Sequence, residues 1–148
     1  MNVHVDIQSA SSEPVPDEDD IRSWIATTLP GRTTLDEVEV SVRLVDNDEM
    51  AELNQKYPDK PGPTNVLSFP TELPEDLLDV PLLGDIVICA PVVRSEAADQ
   101  GKETAAHWAH MTVHGTLHLL GYDHLEQEEA ASMEALETSI LKQLNYDN

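Results

Sequence analysis

Cysteines, basic residues and long apolar runs are all scarce in this chain, and each scarcity excludes something. Cys89 is the one cysteine. An internal disulfide is therefore impossible, and nothing points to an oxidising compartment. Lys and Arg number 8 against 29 Asp and Glu, a formal net charge of −21. Such a field repels phosphates at long range, which argues against non-specific nucleic-acid binding. Any function directed at RNA must rest on a local site. The same charge also describes a strongly solvated surface. No apolar run approaches the roughly 20 residues of a membrane span. The first residues, MNVHVDIQSASSEPVPDEDD, lack a basic patch followed by an apolar run. The expectation is a cytoplasmic protein with no secretory signal and no membrane partner. What is present is a hydrophobic content of 40% over 148 residues, enough for one core and read here as a single domain over 1–148.

Residues 2–8, NVHVDIQ, alternate apolar and polar as a strand with one buried face does. Residues 9–16 carry Ser, Glu and two prolines and read as a loop. From Asp17 the pattern turns helical: Ile21, Trp24, Ile25 and Leu29 share a face, and acids sit where the helix dipole favours them. Pro30 and Gly31 stop that helix. Val38, Val40, Val42 and Leu44 mark a second strand. Asp46 and Glu49 read as a capping pair opening a helix that turns Met50, Leu53 and Tyr57 inward. A loop with Pro58, Pro61, Gly62 and Pro63 follows. Short strands at 65–69 and 85–89 flank an acidic loop at 70–83. Pro91 suits the first turn of a helix over about 91–100, which Gly101 ends. Further helices cover about 103–120, ended by Gly121, and about 126–144, with Met133, Leu136, Ile140 and Leu144 on one face. The order β-α-β-α-β-β-α-α-α leaves three helices after the last strand, which favours an α+β fold over a doubly wound one.

The segment 107–124, HWAHMTVHGTLHLLGYDH, carries the chemistry. His114 and His118 stand four apart in a helical run. Four residues turn about 400° and rise about 6 Å, so both imidazoles leave one face within reach of a single ion. Gly121 is suited to a left-handed bend that ends the helix and returns the chain through Tyr122 and Asp123. His124 is then expected at a third corner. A bare pair of histidines at this spacing is common by chance. The full spacing H-x3-H-x2-G-x2-H is the metzincin pattern, and three protein ligands with an open fourth position is the catalytic arrangement for zinc. Imidazole also suits nickel, copper and iron. Zinc proteases place their general base, Glu, directly after the first His. Here that position is Gly115, so a protease-like cradle lacks the protease base. His107 and His110 lie near the same face, as contacts around the site or as ordinary helix histidines. Trp108 and Met111 read as core.

HGTLHLLGYDH is similar throughout to the signature of the YbeY family of endoribonucleases, and PTNVLSFP at 63–70 and LLGDIVIC at 82–89 match two further blocks in order. The resemblance covers about residues 35–144. It implies a small mixed four-stranded sheet packed with about five helices and a zincin-like metal helix. It implies one zinc at His114, His118 and His124, beside a substrate cleft. It also implies cleavage of single-stranded RNA, maturation of the 16S rRNA 3′ end and ribosome quality control, with the small subunit and its assembly factors as partners. The catalytic group is expected to be a metal-bound water. No side-chain base is assigned; Asp123 and Asp85 are weak candidates, and shaping a turn is the favoured reading of each. Lys60, Thr64, Asn65, Ser68 and His110 are candidate substrate contacts, with turn and strand-edge bonding as the alternative. Arg43, Lys56 and Lys60 are the basic residues expected near the cleft.

One departure stands out. The family carries an arginine after the tyrosine of this block, with Lys-Asp two residues on. Those positions are Pro58, Lys60 and Pro61 here. Proline cannot engage phosphate, and lysine supplies charge without a bidentate grip. Three functions follow for testing. The first is a metal-dependent endoribonuclease. The second is a non-catalytic ribosome-assembly factor with a structural metal, favoured by the charge and by Pro58. The third is a peptidase, disfavoured by Gly115.

Overall fold

The computed structural model describes residues 1–55, 64–71, 80–122 and 127–146. Within them the order is β1 (Asn2–Ser9), α1 (Glu18–Thr28), β2 (Glu37–Val45), α2 (Asn47–Gln55), β3 (Val66–Pro70), β4 (Leu82–Cys89), α3 (Ala90–Gln100), α4 (Thr104–Leu119) and α5 (Gln127–Gln143). This is the expected α+β order. The strands form one mixed sheet, β1-β2-β4-β3, in which β3 alone runs antiparallel to its neighbour.

Alternation along β2 explains the layering. Val38, Val40, Val42 and Leu44 are buried on one face of the sheet, together with Ile86 and Ile88 of β4. Against them pack Ile21, Trp24 and Ile25 of α1, Trp108, Val113 and Leu117 of α4, and Met133, Ile140 and Leu141 of α5. The other face carries a smaller cluster of Val45, Leu67, Val87 and Cys89, capped by Met50 of α2. Three acids, Glu18, Asp19 and Asp20, occupy the first turn of α1, as its dipole favours.

Two expectations required correction. Asp46 and Glu49 do not cap α2 reciprocally. The Asp46 carboxylate accepts bonds from Ser11 Oγ at 2.5 Å, Ser12 Oγ at 2.8 Å and Ser12 N at 3.0 Å, which hold its pKa below the usual carboxylate range. Glu49 pairs instead with Arg43. Partners 35 residues away in the chain displaced the local ones. Strand β4 begins at Leu82, three residues before the predicted start. Leu82 pairs with Glu39 and Gly84 with Val40 across a bulge, so Leu82 and Leu83, which read as loop, are held in the sheet by β2. Tyr57, expected inward on α2, lies outside the described residues.

Helix α4 is the central element. It packs against α1, α3, α5, β3 and β4. Its close approach to the sheet occurs at Gly115, where an added Cβ would stand 2.9 Å from Ile86 Cγ2 and 3.2 Å from both Ser68 Oγ and Val66 Cγ2. Ser68 Oγ donates to the Gly115 carbonyl at 2.9 Å, pinning β3 to the helix. The helix stops as predicted. Gly121 adopts φ +98°, Tyr122 N bonds Leu117 O at 3.1 Å and Gly121 N bonds His118 O at 3.0 Å. That bond pair is the Schellman termination, whose left-handed position glycine adopts at the least steric cost.

Candidate functional site

The histidines of α4 face neighbouring helices rather than the sheet. His114 and His118 stand one turn apart with ring centroids 4.6 Å from each other. Their Nε2 atoms are turned together at 3.0 Å. Two ligands about 2.1 Å from one ion in tetrahedral geometry stand about 3.4 Å apart, so this pair matches two donors converging on a shared cation. His124 and Asp123 lie outside the described residues, and among those described no three metal-capable side chains are arranged to hold one ion together.

The other nitrogen of His114 is held from α5. Its Nδ1 lies 2.5 Å from Glu137 Oε2, while Glu137 Oε1 lies 2.9 Å from His110 Nε2. Glu137 is only 5% exposed. Burial pushes its carboxyl up, but the bonds from His110 and His114 outweigh that and lower it to about 2. It is therefore ionised and acts as an acceptor through both oxygens. A carboxylate in this position fixes the ring and tautomer of a metal-ligating histidine. Glu137 was absent from the sequence-derived candidates. The signal that would have found it is its place four residues after Met133 and three before Ile140, a charge inside an apolar stripe.

A second carboxylate–histidine joint lies further back on α4. His107 is 2% exposed, and its Nε2 lies 2.9 Å from Glu96 Oε1 of α3. Burial lowers its pKa despite Glu96. Asn65 Nδ2 donates to the same carboxylate at 3.1 Å. Trp108 and Met111 are buried, as expected of core residues.

A cavity of about 350 Å³ opens between α4 and α5, lined by Asn65, His110, Met111, His114, Met133 and Glu137 among others. Of the substrate contacts expected from sequence, it gathers Asn65 and His110. Thr64 precedes Asn65 and is partly buried. Ser68 is engaged by Gly115. Lys60, Lys56 and Pro58 fall outside the described residues.

Asp85 and Arg43 lie elsewhere. Ile86 touches α4, so its strand neighbour Asp85 faces the opposite side of the sheet, in mid-strand rather than at a turn. There it lines a groove of about 630 Å³ with Gln8, Ser41, Arg43 and Glu49. Arg43, expected near the cleft, is bound there to Glu49 at 2.5 and 3.0 Å and to Gln8 at 3.0 Å. Its neighbours Val42 and Leu44 point into the core, which forces its side chain outward.

The absence of a protease base also gains a physical reason. Gly115 sits against Ile86 and Val66, where even a methyl group is crowded. A glutamate at that position would meet the sheet.

Comparison with known proteins identifies the family. The family model described as Endoribonuclease YbeY matches residues 6–145. A protein called Endoribonuclease YbeY from Pseudomonas syringae pv. tomato is 54% identical over 144 residues, covering 97% of this chain and 86% of the relative. Another of that name, from Cellvibrio japonicus, is 53% identical over 144 residues, covering 97% of this chain and 80% of the relative. The solution structure of TM1509 from Thermotoga maritima matches with a TM-score of 0.57 at 23% identity, covering 97% of this chain and 91% of that one. That likeness bears on fold alone. Full-length matches at more than half identity leave one assignment, and this chain belongs to the YbeY endoribonuclease family.

Proposed function

We propose that this protein is a metal-dependent endoribonuclease of the cytoplasm, a single domain over 1–148, that cleaves single-stranded RNA in maturation of the 16S rRNA 3′ end and in ribosome quality control. The small ribosomal subunit and its assembly factors are its proposed partners. One zinc, or another transition metal that imidazole suits, would be held by His114, His118 and His124. The observation that carries this reading is the convergence of His114 and His118 Nε2 at 3.0 Å, with the far nitrogen of His114 bonded to Glu137. When bound, such an ion supplies an activated water and neutralises charge developing on a phosphoryl group. The chain's own residues do the rest. Glu137 orients His114 and His110. His110 and Asn65 line the cavity beside the pair, where a nucleotide would be positioned. Lys60 would contribute charge toward phosphate.

The family description supports the endoribonuclease activity, since the relatives carry that name. Among the described residues no helix is long and apolar enough to cross a membrane. Purified protein given single-stranded RNA should cleave it, lose that activity on exhaustive chelation and regain it with zinc. Cleavage that survives complete metal removal would refute the reading.

A non-catalytic assembly factor is the second reading. It draws support from the net charge of −21 and from the pairing of Arg22, Arg43 and Arg94 with carboxylates rather than their presentation to a ligand. The discriminating variant is His114→Ala. Ribosome maturation that persists with this folded variant favours binding over cleavage.

A further inference from the structure

We propose that Glu137 is the positioning residue of the centre, holding His114 in the one tautomer that turns an Nε2 lone pair toward His118 and tying His110 to the same carboxylate. This rests on the reading of His114 as a metal ligand.

A carboxylate accepts and does not donate, so the nitrogen facing each of its oxygens must carry the proton. For His114 that nitrogen is Nδ1, 2.5 Å from Oε2. Nε2 of the same ring then carries a lone pair in place of a proton and accepts from His118 Nε2 at 3.0 Å. For His110 the bonded nitrogen is Nε2, 2.9 Å from Oε1. One side chain of α5 thus sets the protonation pattern of two rings on α4. Its surroundings make the arrangement stringent. Met133, Ile140 and Leu141 bury the same stripe of α5, and a carboxylate set among them is costly unless both oxygens are bonded. The packing that seats α5 on α4 is therefore the packing that selects the tautomer.

Glu137→Gln tests this, because an amide has one accepting oxygen and one donating nitrogen. Only one of the two rings can keep its proton toward residue 137. Where the amide nitrogen meets His114, the proton must move to Nε2 and the lone pair is lost. Zinc affinity of the full chain, measured by titration against a competing chelator, should fall roughly 10–100-fold. In the zinc-free protein, nitrogen-15 NMR of the imidazoles should show His114 protonated at Nδ1, and a mixed or inverted tautomer in Glu137→Gln. Glu128→Gln, in the first turn of the same helix, exposed and outside the cavity lining, removes the same charge from α5 and should leave affinity and tautomer unchanged. An equal fall in both variants would reduce Glu137 to a source of charge and overturn the proposal. So would a wild-type His114 bearing its proton on Nε2, a measurement that stands even where Glu137→Gln does not fold. Failure of the wild type to bind zinc overturns the underlying reading instead. The tautomer measurement would then still decide what Glu137 does.

Discussion

Two joints on α4 are built from the same parts, and they differ in what the imidazole's second nitrogen meets. At one, Glu96 of α3 bonds His107 Nε2. His107 Nδ1 is buried with no hydrogen-bond partner among the described residues. At the other, Glu137 of α5 bonds His114 Nδ1, and His114 Nε2 faces a second imidazole beside an open cavity. The first joint ends in protein and fastens helices together. The second leads from a buried carboxylate through a ring to a place where a ligand can sit. A carboxylate–histidine pair is thus not a functional signature by itself. What lies beyond the ring decides its role.

The sharpest way to break this comparison is to delete each ring. His114→Ala should abolish zinc retention by the purified protein, checked by elemental analysis, and RNA cleavage with it. His107→Ala should retain the metal and cost stability instead, about 2–4 kcal/mol by urea denaturation, because it opens a hole and takes a partner from Glu96. Loss of zinc in His107→Ala with intact fold would erase the distinction. A smaller effect is expected from Glu96→Gln, about 1–2 kcal/mol of destabilisation with zinc affinity unchanged, in contrast to Glu137→Gln. Asn65→Ala should cost less still, about 0.5–1.5 kcal/mol, since Glu96 keeps His107. A drop in RNA cleavage by Asn65→Ala beyond what its stability explains would mark Asn65 as a substrate contact as well as a structural one. The smallest effect is the pH dependence from His107. Its folded pKa lies below the ordinary value of 6.5, mainly through burial. The unfolded chain therefore takes up a proton first as pH falls below 6.5, and the native protein loses stability until the folded pKa is passed. Urea midpoints at pH 7.5 and 5.5 should differ more in the wild type than in His107→Leu.

The legible part of the structure is that governed by neighbours in sequence. The alternation of Val38, Val40, Val42 and Leu44 revealed β2, and Gly121 marked the end of α4. The partial failures have a common cause. Asp46 and Glu49 matched a capping motif, yet Ser11, Ser12 and Arg43 reached them first from other segments. Asp85 looked like a strand-start residue because it follows Gly84 and a loop read to residue 83, and pairing to β2 extended the strand. Arg43 was placed by its charge, although its register in β2 turns it away from α4.

Helical period alone set His114 and His118 on one face, because 3.6 residues per turn is a property of the backbone wherever a helix forms. It also placed a glycine where the helix had to end. Which carboxylate meets which ring was settled only when α3 and α5 packed on α4, since Glu96 and His107 are 11 residues apart and Glu137 and His114 are 23. The tight fit of Gly115 against Ile86 and Val66 belongs to the same class. Contacts of this kind depend on how apolar faces interlock, which no local pattern encodes.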